Sequence, residues 1–289
     1  MTKLPSPSSF THQHIATVIN TLSKGIATGS TVRILDLGCG NGAMISYFIA
    51  ALPTLRPDLS FDIYGLDVSD SGVQEKGFAN ATRDRLQQRC PGLDWRDRIR
   101  IVSSRDAWPF PQNHFDFVVS NQVFEHIVDM EHTLRQLKAH LKTGGSSINL
   151  FPVKECLFED HVEQPFIHYI KDLDRRAAWI RRFAKMGLDS HYKRDMPRYG
   201  WKSLEEFGYV FSRVLEKDTH YLWTSEFRKL ARSNGLGLSV AYTKDFYIGK
   251  LLSYVGVQIH RYRRTPLDWL ANWVVKHLSS STLVFRNGA

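Results

Sequence analysis

Three cysteines in 289 residues, Cys39, Cys90 and Cys156, are too few and too scattered for a disulfide framework or a paired metal-binding spacing. A reducing, cytoplasmic location is the expectation. No apolar run reaches roughly 18 residues, which excludes a membrane-spanning helix. Met1 to Ser9 contains Pro and Ser but no apolar stretch, so it reads as a loose arm rather than a secretory signal. Repeats and low-complexity tracts are missing, as is any recognised module for reading DNA or RNA, so nucleic acid is not expected as a partner. With 43% apolar residues, the chain can bury one large core, or one core and a smaller lobe.

What is present begins with Val32-Arg33-Ile34-Leu35-Asp36-Leu37-Gly38-Cys39-Gly40-Asn41-Gly42, a buried strand ending in a glycine turn that opens a helix. Such a turn lets backbone amides approach a ligand, and a nucleotide-like ligand is the first inference. Gly38, Gly40 and Ala43 also fit the G-x-G-x-x-A pattern of dinucleotide enzymes, so the turn alone does not choose the cofactor. A second strand, Phe61 to Leu66, ends in Asp67, whose carboxylate is suited to accept hydrogen bonds from two ribose hydroxyls.

Later segments choose. Asp36 completes Asp-x-Gly-x-Gly-x-Gly, and it is followed in order by Asp106-Ala107-Trp108-Pro109-Phe110, Phe115-Asp116-Phe117-Val118, Phe124-Glu125-His126 and Lys142-Thr143-Gly144-Gly145. From Thr31 to Pro152 this order resembles the class I, Rossmann-like S-adenosylmethionine-dependent methyltransferases of the type 11 kind. Phe124 stands where leucine is usual and Thr143 where proline is usual. The resemblance implies an α/β fold with a seven-stranded, mostly parallel sheet, an antiparallel last strand and helices on both faces. It implies S-adenosyl-L-methionine as cofactor, with Asp36 near the methionine amino end, Asp106 and Ala107 at the adenine edge, and Val68 or Ser69 as lining. Gly38, Cys39, Gly40, Gly42, Asp67 and Asn121 complete the expected cofactor cradle. Cys39 reads as a small residue tolerated in a tight turn, with a nucleophile as the alternative.

Strands are expected near 32–37, 61–66, 99–102, 115–120, 146–151, 236–242 and 281–286. Helices are expected at His14 to Leu22, Ala43 to Leu52, Asp70 to Gln88 with Ser69 or Asp70 as cap, Met130 to Leu141 capped by Asp129, and Ser225 to Ser233. This divides the chain into an arm and cap helix (1–30), a cofactor-binding core (31–152), an inserted substrate lid (153–223), and the end of the core carrying a basic, aromatic helical insertion (224–289).

Methyl transfer to a hydroxyl needs alignment and a base, and His126, His161 and His168 are the candidate bases, each with simple packing as its bland alternative. A divalent ion on Asp160, His161, Glu163 and His168 is the other possibility, but no tight ligand spacing compels it, and no metal is expected. The first 152 residues hold 15 Lys and Arg against 14 Asp and Glu; the remainder hold 23 against 15. That excess, densest from Arg175 to Lys202, fits an anionic substrate or a solvated helix face. Pro266 to Leu278 follows Arg261, Arg263 and Arg264 and has apolar residues at helical spacing; packing on the sheet or on a second subunit is its first reading, contact with a membrane surface its second. The expected function is O-methylation of a sugar, glycan or other hydroxylated, anionic acceptor. A lipid-linked or prenylated acceptor and a catalytically silent cofactor-binding partner protein are the alternatives.

Overall fold

Along the first strand, β1 (Thr31–Leu37), Val32 and Ile34 enter one apolar core while Leu35 and Leu37 enter another, so the strand is covered on both faces. The same alternation recurs in β4 (Phe115–Asn121), where Phe117 and Val119 face one core and Val118 the other. The computed structural model describes residues 3–70 and 78–288.

In chain order the elements are α1 (Phe10–Leu22), β1, α2 (Ala43–Leu55), β2 (Ser60–Val68), α3 (Phe78–Arg89), α4 (Trp95–Arg98), β3 (Ile99–Val102), β4, α5 (Met130–His140), β5 (Leu141–Pro152), β6 (Phe158–Glu159), β7 (Gln164–Pro165), α6 (Leu173–Lys185), α7 (Ser190–Tyr199), α8 (Leu204–Lys217), α9 (Thr224–Ser233), β8 (Gly237–Ser239), α10 (Thr243–Tyr254), α11 (Asp268–Val275) and β9 (Ser280–Arg286). Seven strands form one sheet in the order β3-β2-β1-β4-β5-β9-β8. β1 to β5 run parallel, and β9 inserts antiparallel between β5 and β8. This is the seven-stranded, Rossmann-like arrangement that the resemblance implies. The strand order reverses between β1 and β4, so the crevice beyond their C-terminal ends is where such sheets bind ligands.

Several boundaries differ from those read in the sequence. α1 starts at Phe10 because the Ser9 hydroxyl accepts from the Thr11 amide and caps it. α2 runs through Pro53 to Leu55, since one proline in the last turn forfeits a single backbone bond. Asp70 caps no helix within the described residues; its carboxylate accepts from Ser103 Oγ and the Ser104 amide, and residues 71–77 of the expected helix lie outside the described residues. The sixth strand is only three residues long because Val240–Tyr242 leave the sheet, Tyr242 turning at φ +72° to start α10. Lys142–Gly145 is no free turn but a bulge within β5: Phe115 pairs with Leu141 and Phe117 with Ser146, and Gly144 at φ +82° takes up the surplus.

The segment 153–223 has a small core of its own, in which Val162, Ile167, Ile180, Phe207 and Leu215 are buried together. Arg176, counted in the sequence among the substrate-facing cations, is buried there and donates to the carbonyls of Ile170, Lys171 and Ser212. Its role is to tie α6 to α8.

Candidate active site

Two adjoining cavities open beyond the C-terminal ends of β1, β2 and β4, and Gly38 and Asn121 line both. The smaller, about 270 Å³, is lined by His12, Asp36, Cys39, Gly40, Asn41 and Met44. The larger, about 900 Å³, has Asp67, Asp70 and Ser103 to Arg105 on one side, Gln122, His126 and His132 on another, and the apolar Leu66, Val68, Val102, Trp108 and Ile127 between them. Every lining residue of the two lies between His12 and Thr133.

Asp36 is the most unusual group in the smaller cavity. It ends β1 fully buried, and neither carboxylate oxygen has a hydrogen-bond partner. Burial, with the Asp67 charge added, raises its pKa well above the usual carboxylate range. An orphaned acid facing a cavity is a site for a cation or a strong donor. Asp67 is braced differently: Oδ2 accepts from the Gly40 amide at 2.7 Å and Oδ1 from the Val68 amide at 2.8 Å. Each oxygen keeps a lone pair. Burial raises the pKa of Asp67, and the two amides pull it back.

The glycine turn owes its shape to close packing. Gly38 has φ +72°, and a Cβ there would lie 2.4 Å from Val123 Cγ2; at Gly42, also φ +72°, it would meet Leu86. Gly38→Ala should destabilise the fold by about 2–4 kcal/mol, combining a left-handed alanine with overpacking. Adding Val123→Ala should recover only the packing share, read from denaturant midpoints. Cys39 turns its sulfur to Gly65, and burial beside Asp36 and Asp67 raises its thiol pKa well above the ordinary value. Its sulfur packs against Gly65, and the raised pKa disfavours the thiolate that a nucleophile needs.

Asp106 and Ala107 line neither cavity. The Asp106 carboxylate turns back to accept from the Ser103 amide, and both residues are exposed, leaving Ser103, Ser104, Arg105 and Trp108 on the wall.

The three candidate histidines separate. His126 lines the larger cavity, and its Nδ1 donates to the Asp218 carbonyl at 2.5 Å. Burial lowers its pKa. His161 is packed edge-on behind it, ring centroids 5.3 Å apart, with Nδ1 on Glu159 Oε1 at 2.5 Å. Burial acts to lower its pKa, but the Glu159 bond and the charges of Glu159, Glu125 and Asp160 prevail and lift it to about 9. His161 is therefore an imidazolium at neutral pH and holds no lone pair for a base. His168 lies farther back, bonded to the Lys154 carbonyl at 3.2 Å and packed against Tyr169 and Tyr221, and it lines neither cavity.

Behind His126 is a buried polar cluster that sequence reading did not assemble. Glu125, whose oxygens lack hydrogen bonds and whose Oε1 lies 3.9 Å from His126 Nε2, is pushed by burial to about 8. Tyr221 donates to Glu159 at 2.5 Å, and Gln122, Ser280 and Asp160 are joined by hydrogen bonds. Only the Glu-His pair after β4 hinted at it. Asp160, Glu163 and His168 do not converge with His161 as a ligand set; instead, ligand atoms of Glu125, His126 and His161 fall within 4.8 Å of one another. A cation there would have to displace one proton of the His161 imidazolium.

A family model described as a methyltransferase domain matches residues 9–213, well over half of the chain. The chain belongs to this methyltransferase-domain family, whose class I members use S-adenosylmethionine. The human mitochondrial ubiquinone biosynthesis O-methyltransferase is 30% identical over 115 residues, covering 40% of this chain and 27% of that protein. The 27-O-demethylrifamycin SV methyltransferase of Amycolatopsis mediterranei is 29% identical over 117 residues, 39% of this chain and 36% of that protein. The match therefore spans well under half of either relative. Among solved structures, PKMT2 from Rickettsia typhi shares the fold with a TM-score of 0.53 at 13% identity, over 97% of this chain and 53% of that one.

S-adenosylmethionine carries an ammonium and a sulfonium, and the methyltransferase chain offers them a buried carboxylate without partners, with an apolar, Trp-bearing wall next to it. The residues fit the group. Among the described residues no helix is long and apolar enough to cross a membrane.

Proposed function

We propose that the protein transfers the methyl group of S-adenosylmethionine to a hydroxyl oxygen of a small acceptor, a sugar or glycan in the finer reading. The observation that carries the cofactor part is Asp36, a carboxylate buried with both oxygens unpartnered just before the glycine turn. Asp36 would receive the amino end, Asp67 the ribose hydroxyls through its two spare lone pairs, and the wall from Val68 to Trp108 the base. The bound cofactor supplies a methyl group already activated on sulfur, so the protein has to align the acceptor, exclude water and accept one proton. His126 is suited to the last step: Nδ1 is committed to a backbone carbonyl, leaving Nε2 as proton acceptor, and its lowered pKa keeps it neutral. The matched relatives are named for O-methylation, which supports oxygen as the acceptor atom. The basic excess after residue 152 supports an anionic acceptor. The lid role of 153–223 rests on its attachment at the crevice, where the Asp218 carbonyl holds His126.

Calorimetry with S-adenosylmethionine and with NADH, followed by assay of S-adenosylhomocysteine release over a panel of sugars and other hydroxylated compounds, tests this reading. Preference for NADH, or binding without release on any hydroxyl, overturns it. Asp36→Asn should weaken S-adenosylmethionine by about 10- to 100-fold, the worth of a charge-assisted hydrogen bond. The same change should raise the melting temperature of the ligand-free protein. The sign follows from the raised pKa: ionised Asp36 costs stability above its unfolded pKa, a cost that asparagine removes and that falling pH removes in the wild type.

A further inference from the structure

α11 is built inside out. Its polar residues Asp268 and Asn272 face the protein, where Asp268 lies 3.3 Å from Lys244 and the Asn272 side chain accepts from the Lys244 amide. Its apolar residues Trp269, Leu270, Trp273 and Val274, at positions i, i+1, i+4 and i+5, form one face toward solvent, with Trp269 71% and Trp273 58% exposed. The reading that this helix packs on the sheet is thereby corrected, because its inner face is spent on the Lys244 ion pair. On α10, which packs against α11, Leu251, Tyr254 and the following Val255 are exposed as well, Tyr254 by 74%. An apolar surface of this extent marks an interaction site.

Charge selects the occupant. Lys250, Arg261, Arg263 and Arg264, in α10 and in the segment leading into α11, are exposed, Arg264 lying over the Tyr242 ring and 4.0 Å from Asp268. From residue 246 to 289 the only carboxylate side chain is Asp268, which is buried and paired with Lys244. We propose that the α10–α11 surface docks on an anionic lipid bilayer, the tryptophans entering the headgroup region and the arginines meeting lipid phosphates. A protein partner using its own cations would need an exposed acid, and from residue 246 to 288 every exposed charged side chain is positive.

The surface is joined to the crevice. The carbonyls of His277 and Leu278, just past α11, accept from the amides of Leu157 and Phe158, and Ser280 pairs with Pro152 at the C-terminal end of β5 while its hydroxyl accepts from Gln122. Docking would thus bring the acceptor side of the sheet to the bilayer. Adsorption itself does not depend on the methyl-transfer reading, so either can fail without the other.

Co-sedimentation of the full chain with vesicles tests the proposal. Binding is expected to vesicles of phosphatidylcholine with phosphatidylglycerol and to weaken sharply on pure phosphatidylcholine or in high salt, with a blue shift of tryptophan emission. Trp269→Ser with Trp273→Ser should weaken binding more than tenfold, and Arg261→Gln or Arg263→Gln about fivefold each. Unchanged melting temperatures show that these exposed positions leave the fold intact. Failure to bind anionic vesicles at low salt, equal binding to both vesicle types, or indifference to the tryptophan pair overturns the proposal. So does sedimentation equilibrium showing a dimer that the tryptophan pair abolishes, because the face then belongs to a second copy.

Discussion

His126→Gln should lower kcat by about 10²- to 10⁴-fold, the range expected when a positioned general base is lost, while leaving S-adenosylmethionine affinity nearly unchanged. The proposed cofactor contacts are Asp36, Asp67 and the turn, whereas His126 belongs to the short helical turn after β4 and lines only the larger cavity. In the wild type the rate should fall as pH falls through the pKa of His126. Because burial lowers that pKa, the acid limb should lie below the ordinary histidine value. Rapid-quench measurement of single turnovers isolates the chemical step. A kcat within threefold of wild type, or an acid limb near the free-histidine value, would remove His126 from the chemistry.

Breaking the pair behind it should unfold the protein more readily. His161→Gln removes the positive partner of fully buried Glu159 and should cost about 3–5 kcal/mol in denaturant titrations. Glu159→Gln combined with His161→Gln should cost less than His161→Gln alone, because no buried charge is then stranded. The pH dependence has a definite sign. His161 is lifted to about 9 in the folded protein, so its contribution is complete below about 6.5, the unfolded value, and is lost as pH rises through 9. Glu125, raised to about 8, and Asp160, raised to about 6, also bind protons more tightly in the folded state and slope the same way. Stability of the wild type should therefore decline between pH 6.5 and 9, and His161→Gln should flatten that decline. A flat wild-type profile across this window would contradict the assigned imidazolium.

The core sheet was legible because its signals are local. Val32, Ile34, Leu35 and Leu37 announce a strand buried on both sides, Gly38 to Gly42 the turn after it, and Asp67 the end of the next strand, each within a few residues of chain. The histidines were not legible in the same way. His126, His161 and His168 have the same chemistry in the sequence, and what separates them is a carbonyl 92 residues away for His126, a carboxylate for His161 and a backbone oxygen at Lys154 for His168. Asp106 matched a motif by position, yet it is exposed outside both cavities, with one carboxylate oxygen turned back to the Ser103 amide three residues earlier. Tyr221 and Ser280 carry no signal alone; they matter through distant partners, Glu159 for Tyr221 and Gln122 for Ser280.

Alone, the amino-acid order determined the strands, the glycine bend and the acids that end β1 and β2, since backbone preference and apolar alternation act over a few residues. Tertiary structure decided which acid stays unpartnered, which histidine keeps a lone pair, and which side of α11 faces water. Those outcomes depend on what burial removes from solvent and which distant donor or carboxylate arrives to replace it, and neither is encoded in any one segment.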